Sequence, residues 1–393
     1  MQRNPLSACR AILLGLTIFG LTGCADMNTS PWASQKQTSP SPSVASSQAI
    51  DDVNTPILPT QKSKVALLLP LTGKGSDTGL AMMNAAQLAM FDLNASSVFE
   101  LRPEDTGRGA TEAINNAMTG GANFILGPVF STDTKSVTPL ALQSGINIVS
   151  FSTDTTAAVG NTFLMGFMPQ AQVNTVLSYA NSIGLKRVAV IAPRDAYGDS
   201  VANAALMFMQ RNGLGNSGVI RYATNSLPNA SDFAQFKSDI DAVLIAGSAT
   251  ESHKISVSLE LAGYPMSKVK RLGTGLWDQP DAAKLSGLQG AWYAASSPRL
   301  RIRFEQRYFE TYGMQPPRLA SLAYDATALA VVLAKSGNGF GRAALTNPNG
   351  FSGIDGIFRF NSEGMADRGL AILEIGNGSA SVIVDAPQRF TGF

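Results

Sequence analysis

Short apolar runs alternate with longer amphipathic segments along most of this chain, and this alternation limits the folds that it can adopt. The first run, residues 65–69, is apolar at every position, which is typical of a strand buried on both faces of a sheet. A segment with helical spacing of its apolar residues follows at about residues 80–92. Strands and helices in alternation predict parallel sheets that helices cover on both faces.

The alternation runs through two successive series, so we predict an α/β fold with two doubly wound parallel-sheet lobes and a hinged central cleft. We expect residues 63–167 plus 297–352 to form the first lobe and residues 168–296 plus 353–385 to form the second, followed by a C-terminal tail at residues 386–393. The predicted strands are residues 65–69, 99–102, 124–127, 146–151 and 163–167 in the first series, and residues 188–192, 219–223, 242–246, 271–275 and 291–294 in the second.

The last third of the chain departs from this alternation. Two amphipathic segments, residues 300–312 and 319–335, have no strands of their own, so we expect both helices to cover the first lobe. Residues 354–361, 370–375 and 381–384 are predicted as strands added to the second lobe. The predicted crossings between the lobes lie near residues 167–169, 295–298 and 351–356.

The N-terminus has the organisation of a bacterial export signal. Two cationic residues, Arg3 and Arg10, precede an apolar stretch at residues 11–21. This stretch is shorter than the ~20 residues that a helix needs to cross a bilayer. We therefore predict a signal peptide at residues 1–23 and a mature protein outside the cytoplasm.

The sequence Leu-Thr-Gly-Cys at positions 21–24 ends this signal and resembles the lipobox of bacterial lipoproteins. The resemblance implies cleavage before Cys24 and acylation of that residue, and the alternative is an ordinary secretory signal. Several acyl chains anchor a protein stably to a membrane, whereas one chain anchors it only marginally. Ala25 stands where a retention signal for the inner membrane usually has Asp, which favours the outer membrane over the inner membrane.

The segment after the predicted cleavage site, residues 24–62, is rich in Ser, Thr, Gln and Pro. Such a composition cannot bury enough apolar surface to offset the entropy of ordering, so we predict a flexible linker. The formal net charge of the chain is +2, and removal of Arg3 and Arg10 with the signal leaves the mature chain neutral. A neutral chain lacks the basic surface that binds nucleic acid.

The composition also excludes several kinds of catalytic and metal site. The chain has two cysteines, Cys9 and Cys24, and one histidine, His253. Because one cysteine leaves with the signal and the other is the predicted anchor, no disulfide and no thiolate metal site is expected. One histidine rules out a His-rich metal motif and most nucleophile–base pairs. We therefore predict a protein that is not an enzyme, with no catalytic residue, cofactor or metal.

Open parallel sheets bind ligands beyond the carboxyl ends of their strands, and two facing lobes bring two such edges to one cleft. In the first series, Ser131 and Thr132 open a predicted helix with Ser131 as its N-cap, where free backbone N–H groups can accept a carboxylate. Ser152 and Thr153 follow the next strand. The alternative for these residues is structural, since Ser and Thr also cap helices and form turns.

In the second series, two loops carry aromatic side chains after strands. Tyr197 would project into the cleft from the second lobe, and its alternative is packing at the rim. Trp277 precedes Asp278, and an aromatic face beside a carboxylate suits a cationic amine or a sugar ring. The alternative for Trp277 is burial in the core. The candidate ligand contacts of the two series are therefore seven residues: Ser131, Thr132, Ser152, Thr153, Tyr197, Trp277 and Asp278.

A cluster of arginines lies on one of the late helices. Arg301, Arg303 and Arg307 are spaced over two turns, with Arg299 just before them. They form either a solvated helix face or a surface that docks a partner protein, and we take the three as candidate partner contacts.

The pattern as a whole resembles the type I periplasmic-binding fold. The residues that carry the resemblance are Val-Ala-Leu-Leu-Leu-Pro-Leu-Thr-Gly at 65–73, Ile-Leu-Gly-Pro-Val at 125–129 and the segment 187–198 with Ala-Tyr-Gly-Asp at 196–199. The resemblance extends over about residues 64–384. It implies two lobes around a cleft, and two subfamilies compete.

One subfamily is the branched-chain amino-acid-binding proteins of ABC importers. The resemblance implies that Ser131 and groups near Thr153 hold the carboxylate of the ligand and that Tyr197 closes over it. The chain departs from this subfamily at Thr78, where an aromatic residue is usual, and at residues 275–277, where an acid usually binds the amino group. This alternative implies a small polar ligand, such as an amino acid, and an ABC permease as partner.

The other subfamily is the lipoprotein activators of penicillin-binding proteins. The similar segments are residues 67–73, residues 82–91, Asp-Thr-Gly at 105–107 and Leu-Gly-Pro at 126–128, and the lipobox and long linker agree with them. This resemblance implies stimulation of a peptidoglycan synthase in the periplasm. We expect this function, with a solute receptor for an ABC importer as the alternative.

Overall fold

A computed structural model describes residues 62–223, 225–236, 239–376 and 378–390 of the chain. The predicted signal peptide, Cys24 and residues 24–61 of the predicted linker lie outside the described residues. No helix in the described part of the chain is long and apolar enough to span a bilayer.

The first lobe is built on a five-stranded sheet in which every pairing is parallel. The sheet has the order β2-β1-β3-β4-β5, and residues 65–69 of β1, the second strand from one edge, are apolar and fully buried, as the sequence predicts. Its elements are β1 (Ser63–Leu69), α1 (Ser76–Asp92), β2 (Phe99–Asp105), α2 (Ala110–Thr119), β3 (Phe124–Leu126), α3 (Ser131–Gln143), β4 (Asn147–Ser150) and β5 (Thr162–Leu164).

The second lobe begins with a new series of parallel strands, also as predicted. These strands have the internal order β10-β9-β8-β6-β7, and their apolar side chains fill cores on both faces of the sheet. The elements are α4 (Pro169–Ser182), β6 (Arg187–Pro193), α5 (Ala196–Asn212), β7 (Gly215–Tyr222), β8 (Ala242–Ile245), α6 (Ala249–Leu261), β9 (Lys270–Gly273) and β10 (Trp292–Ala295).

The C-terminal part of the chain contributes to both lobes. Its last two strands extend the second sheet: β14 pairs antiparallel with β10, and β15 pairs antiparallel with β14, which confirms the predicted addition of these strands. The elements are α7 (Pro298–Tyr312), α8 (Ala320–Ser336), α9 (Arg342–Leu345), β11 (Phe351–Gly353), β12 (Gly356–Phe360), β13 (Ala366–Arg368), β14 (Ala371–Gly376) and β15 (Ser379–Val384).

The late helices α7 and α8 pack against the first lobe, as expected. The hydroxyl of Tyr308 in α7 donates to the carbonyl of Ala81 at 3.3 Å, and that of Tyr312 donates to the carbonyl of Asn84 at 2.8 Å. Both acceptors lie on α1, so the contact joins residues more than 220 positions apart in the chain. Burial of the apolar faces of these helices stabilises the lobe, at about 1.5–3 kcal/mol for each large side chain.

The prediction that residues 354–361 extend the second sheet is wrong. Strands β11, β12 and β13 form a separate antiparallel sheet, and its apolar side chains join the core of the first lobe. The ring of Phe360 lies 5.2 Å from that of Phe163 in β5, and the amide of Leu164 donates to the carbonyl of Gly364 at 2.7 Å. The third crossing between the lobes therefore lies at residues 369–370, after β13, and not at residues 351–356.

The chain after β15 returns towards the first lobe. Ala386 is buried in the core of the second lobe. Phe390, in contrast, contacts the first lobe, because the guanidinium of Arg359 in β12 lies over its ring, 4.5 Å from the ring centroid. A Cβ atom at Gly350 would come within 2.8 Å of the Phe390 ring, which shows how closely that ring packs against the first lobe. We call residues 385–390 the C-terminal strap, because they bridge the two lobes.

Candidate functional site

On the first lobe, Ser131 and Thr132 lie where β3 ends and α3 begins. The predicted N-cap role of Ser131 is wrong, because Phe130 has the extended backbone of the cap (φ −87°, ψ 144°) and Ser131 is already helical. Ser131 is half-buried and Thr132 is exposed. Asp133 lies in the same turn; burial raises the pKa of its carboxyl, and the hydroxyls of Thr106 and Thr132 partly oppose this shift.

Ser152 and Thr153 follow β4, as predicted, but only one of them is open to solvent. Ser152 is 4% exposed, and its hydroxyl accepts a hydrogen bond from the amide of Asp154 at 3.1 Å. Asp154 forms an ion pair with Lys135 at 2.6 Å, and this ammonium group lowers the pKa of the carboxyl. Thr153 is exposed. The hydroxyl of Ser152 is therefore used in a hydrogen bond within its own loop.

On the second lobe, Tyr197 lies in the first turn of α5. Asp195 caps this helix by accepting a hydrogen bond from the amide of Gly198 at 2.7 Å. The hydroxyl of Tyr197 lies 2.6 Å from that of Thr274, which follows β9. Burial raises the pKa of the Tyr197 hydroxyl to about 12, so it stays protonated at neutral pH. Tyr197 and Thr274 thus bond to each other at the carboxyl edge of the second sheet.

Gln172 is a residue of this edge that sequence reasoning missed. Its side-chain oxygen accepts a hydrogen bond from the amide of Gly275 at 2.7 Å, and its amide nitrogen donates to the carbonyl of Phe167 at 3.2 Å. Gln172 lies in the first turn of α4 and not in a loop that directly follows a strand, so no local signal predicted its role. Its side chain joins the loop after β9 to the first crossing between the lobes.

Trp277 is a core residue, which corrects the prediction that it offers its ring to a ligand. Its side chain is fully buried, and its indole N–H donates to the hydroxyl of Ser252 in α6 at 2.9 Å. A Cβ atom at Gly273 would lie 2.3 Å from the ring, so the indole packs directly on β9. The indole and its one polar group are thus enclosed by the second lobe.

The carboxylate of Asp278 is bound by arginines and is closed to an amine ligand. Arg301 contacts both of its oxygens, one of them at 3.1 Å, and Arg318 lies 3.7 Å away. The side chain of Asp278 is only 7% exposed, and that of Arg301 is 13% exposed. The prediction of an open amine site at Asp278 is therefore corrected, because two guanidinium groups already surround the carboxylate.

The predicted docking cluster on α7 is also divided by the structure. Arg301 points inward to Asp278, whereas Arg303 is exposed. Arg307 is about half exposed and forms an ion pair with Asp92 of α1 at 3.0 Å. One of the three predicted partner residues is therefore held inside the protein, and two remain at the surface.

Six charged residues form a cluster where the chain passes between the lobes, and we call this group the interlobe charge cluster. At its centre, Arg318 forms an ion pair with Asp355 at 2.6 Å, and the hydroxyl of Ser321 donates to the same carboxylate at 2.6 Å. The members of the cluster are Asp278, Arg301, Arg318, Asp325, Asp355 and Arg368.

The cluster contacts each of the three crossings. The guanidinium of Arg318 lies 4.0 Å from the centroid of the Phe167 ring in the first crossing and 3.4 Å from the hydroxyl of Ser296 in the second. Arg368 ends the strand before the third crossing and donates to the carbonyl of Met165, in the first crossing, at 3.1 Å. The residues that contact each other in the cluster are far apart in the sequence, so no motif or spacing predicted it.

Two fully buried aspartates of the cluster titrate in opposite directions. Burial raises the pKa of Asp325 to about 7, and the neighbouring charge of Asp355 adds to the effect. Burial acts in the same sense on Asp355, but Arg318 overcomes it and holds the pKa of that carboxyl below its usual value. Asp325 also accepts a hydrogen bond from the amide of Ile354 at 2.7 Å. Asp355 is thus the ionised partner of Arg318.

In the described part of the chain, no group of three or more His, Cys, Asp or Glu side chains is arranged to hold a metal ion. The imidazole of His253 accepts a hydrogen bond from the amide of Gly287 at 3.0 Å, which is a structural role in the second lobe.

Several solved structures share this fold. A branched-chain amino acid ABC transporter periplasmic ligand-binding protein from Burkholderia xenovorans is 18% identical over 82% of this chain and 95% of its own, with a TM-score of 0.66. The LivJ substrate-binding protein of Streptococcus pneumoniae in complex with isoleucine is 19% identical over 83% of this chain and 100% of its own, with a TM-score of 0.59.

The C-domain of LpoA from Haemophilus influenzae, a regulator of PBP1A, is similar to the same extent. It is 18% identical over 82% of this chain and 100% of its own, with a TM-score of 0.63. At these identities the likeness concerns the fold, which importer proteins and a regulator share.

A search of curated proteins finds no match to the chain. The family model for periplasmic binding proteins, by contrast, matches residues 62–380, which include the first sheet, the second sheet up to the start of β15, and the cleft loops. Together with the two sheets and their interlobe crossings, this match establishes that the chain belongs to the type I periplasmic binding protein family.

Proposed function

We propose that this protein is a membrane-anchored periplasmic lipoprotein that activates a peptidoglycan synthase, a penicillin-binding protein, through protein contacts. The observation that carries the proposal is the state of the polar groups on the second-lobe edge of the cleft. Tyr197 is bonded to Thr274, and the amide of Gly275 is bonded to Gln172. Asp278 is bound by arginines, so these groups already have partners within the protein.

A ligand would have to replace these contacts before it could use the groups. Breaking a hydrogen bond within the protein costs about 0.5–1.5 kcal/mol, and a bond to a charged group costs about 1.5–3 kcal/mol. The carboxylate of Asp278 is the hardest to free, because it is mostly buried against two arginines. The edge is thus suited to holding its own shape more than to receiving a polar solute.

The connections between the lobes also support a protein that presents a constant surface. A solute receptor closes around its ligand by a hinge motion, in which a few residues at the crossings change conformation. Here Arg318 and Arg368 contact the crossings from inside the interlobe charge cluster, and the C-terminal strap adds a further connection through Phe390. Opening the lobes would disturb these contacts.

The similarity to the LpoA C-domain, which regulates PBP1A, agrees with this proposal, as do the lipobox and linker of the sequence. The partner surface of the proposal includes Arg303 and Arg307 of α7, which remain exposed.

A receptor for amino acids or related small polar solutes, delivering them to an ABC permease, is the second candidate. It is favoured by two hydroxyls at the first-lobe edge, those of Ser131 and Thr153, which have no hydrogen-bond partner among the described residues. In the receptor, these hydroxyls would contact the ligand carboxylate.

The decisive experiment measures both activities on one preparation. The purified lipoprotein is added to penicillin-binding proteins in an assay of glycan polymerisation and crosslinking, and it is titrated with amino acids by calorimetry. We expect the protein to increase the rate of glycan polymerisation and crosslinking by the synthase, and we expect calorimetry to detect no heat of amino-acid binding.

The Ser131→Ala variant separates the two candidates further. In a receptor it should weaken amino-acid binding about tenfold, because a hydrogen bond to a charged group contributes about 1.5–3 kcal/mol. In an activator it should leave stimulation unchanged, whereas Arg303→Glu should reduce it. Micromolar binding of an amino acid that Ser131→Ala weakens about tenfold or more would overturn the proposed function.

A further inference from the structure

The two large sheets have four edge strands, and three of them carry a charge or a proline or are covered by another segment. Proteins protect such edges with charges, proline, bulges or a covering segment, because unpaired backbone groups attract other strands. Strand β2 contains Pro103 and an ion pair between Arg102 and Glu100 at 3.9 Å. Strand β5 is covered through the hydrogen bond of Leu164 to Gly364.

Strand β7, the third edge, carries a charged residue and an irregular register. Arg221 forms an ion pair with Asp199 at 2.7 Å, and the pairing with β6 shifts between Val188 and Ala189. Each of these three edges thus has a feature that discourages the addition of a further strand.

The fourth edge, β15, has the sequence Ser-Ala-Ser-Val-Ile-Val, and its pairing with β14 shifts register near its C-terminal end, between Ile372 and Leu373. The strand contains neither a charge nor a proline, and among the described residues its backbone pairs with β14 alone. Ile383 is 38% exposed and Val384 is 39% exposed. Because it lacks a charge, a proline and a covering segment, β15 is the one of these four edges that is best suited to accept another strand, in spite of its register shift.

A surface groove of about 670 Å³ lies beside β15, between the strand pair β14–β15 and helices α4 and α5. Its apolar lining includes Phe208, Ile372 and Val384. At its margins lie Arg211 and Asp385, which are both exposed and have no ion-pair partner in the described part of the chain. The groove thus combines apolar side chains, uncharged polar side chains that come mostly from α4, and two unpaired charges of opposite sign.

We propose that two copies of this protein associate through β15, with the two strands antiparallel about a twofold axis. Two features favour a second copy as the occupant. An uncharged strand can pair with its own copy in antiparallel register, which gives the same contact twice. The opposite charges of the groove margin are also self-complementary, since Arg211 of one copy can approach Asp385 of the other.

The pairing joins the two seven-stranded sheets into one continuous sheet. Main-chain hydrogen bonds along β15 provide the alignment, and the side chains of the groove add apolar contact. A stable interface buries roughly 800 Å² on each partner, which six residues of strand cannot supply alone. We therefore assign the groove to the same interface.

The first experiment determines the mass of the mature chain, residues 24–393 with Cys24→Ala so that no acyl chain interferes, by sedimentation velocity. We expect a dimer at about 100 μM that Ile383→Lys converts to monomer, because lysine on an edge strand opposes pairing. The matched control is Leu261→Lys on α6, which replaces a side chain that is 80% exposed on another surface and should leave the dimer intact. A wild-type chain that is monomeric at that concentration overturns the proposal, as does a dimer that persists in Ile383→Lys.

A charge exchange tests the geometry independently of the strand. Arg211→Glu and Asp385→Arg should each raise the dissociation constant of the dimer about three- to tenfold, because the twofold axis gives two copies of the same surface ion pair. The double variant should recover the wild-type dissociation constant. Failure of the double variant to recover it would rule out the proposed contact between Arg211 and Asp385. All of these positions are exposed, so circular dichroism should show unchanged folding.

Discussion

The guanidinium of Arg318 donates a hydrogen bond of 2.6 Å to the carboxylate of Asp355, which is fully buried. Arg318 precedes α8, and Asp355 lies between β11 and β12, so the bond joins two segments that are 37 residues apart. The same guanidinium stacks on Phe167 in the first crossing. A single arginine thus neutralises a buried charge of the first lobe and contacts the chain that leads to the second.

Loss of this arginine should destabilise the protein strongly. Arg318→Ala leaves Asp355 buried without its main counter-charge, and breaking a buried ion pair in this way costs about 3–5 kcal/mol. We expect this loss in the free energy of unfolding, measured with urea at neutral pH. The control is Arg303→Ala on the exposed side of α7, which should change stability by less than about 0.5 kcal/mol. Equal effects of the two substitutions would contradict the role given to Arg318.

Asp325 should make stability depend on pH in an unusual direction. Because its pKa is raised from 3.8 to about 7, the folded protein binds a proton that the unfolded chain has already released between these values. Stability therefore falls as pH rises through this window and levels off above about 7. Asp355, whose pKa is lowered by Arg318 against the effect of burial, contributes the opposite slope only below the usual aspartate range.

The variant Asp325→Asn removes the titrating group but keeps an acceptor for the amide of Ile354. We expect a flatter profile of unfolding free energy between pH 5 and about 7 than in the wild type. The exposed Glu112→Gln, on α2, serves as control and should retain the wild-type slope. Parallel profiles for wild type and Asp325→Asn would show that Asp325 does not titrate there.

The C-terminal strap should contribute measurably to stability. Phe390→Ala removes the ring under Arg359, and the loss of the cation–π contact and of apolar packing is expected to cost about 1–2 kcal/mol. The neighbouring Arg389 is exposed, so Arg389→Ala is the matched control and should be nearly neutral. Urea unfolding of both variants measures the difference, and an unchanged midpoint for Phe390→Ala would argue against the strap.

Membrane attachment should depend on Cys24 alone. Cys24→Ala should leave the fold intact and release the protein from the membrane fraction, because the predicted mature chain is neutral and the proposed anchor is a lipid bound covalently to Cys24. Cys9→Ala, within the predicted signal, should leave the attachment unchanged. The measurement is fractionation of cells into membrane and soluble periplasm. Recovery of Cys24→Ala with the membranes would count against the lipid anchor.

Local sequence patterns determined the α/β fold and most of its elements. A strand such as β1 is apolar at nearly every position because both of its faces are buried, and helices such as α7 show their buried side by the spacing of apolar residues. Both signals are complete within a few residues of chain. The order of strands and helices, the two sheets and the placement of α7 and α8 could therefore be predicted without coordinates.

The tertiary structure alone decided which partner each polar or aromatic side chain found. The sequence placed Trp277 and Asp278 after a strand, but whether they face a cleft or the core depends on Ser252 and Arg301, which are 25 and 23 residues away. The contact between Arg368 and Met165 spans 203 residues. The same holds for β11–β13, whose apolar pattern was compatible with either lobe until packing against Phe163 placed them in the first. Periodicity determines which face of an element is buried, whereas the partner of that face is set by packing between distant parts of the chain, which no local pattern encodes.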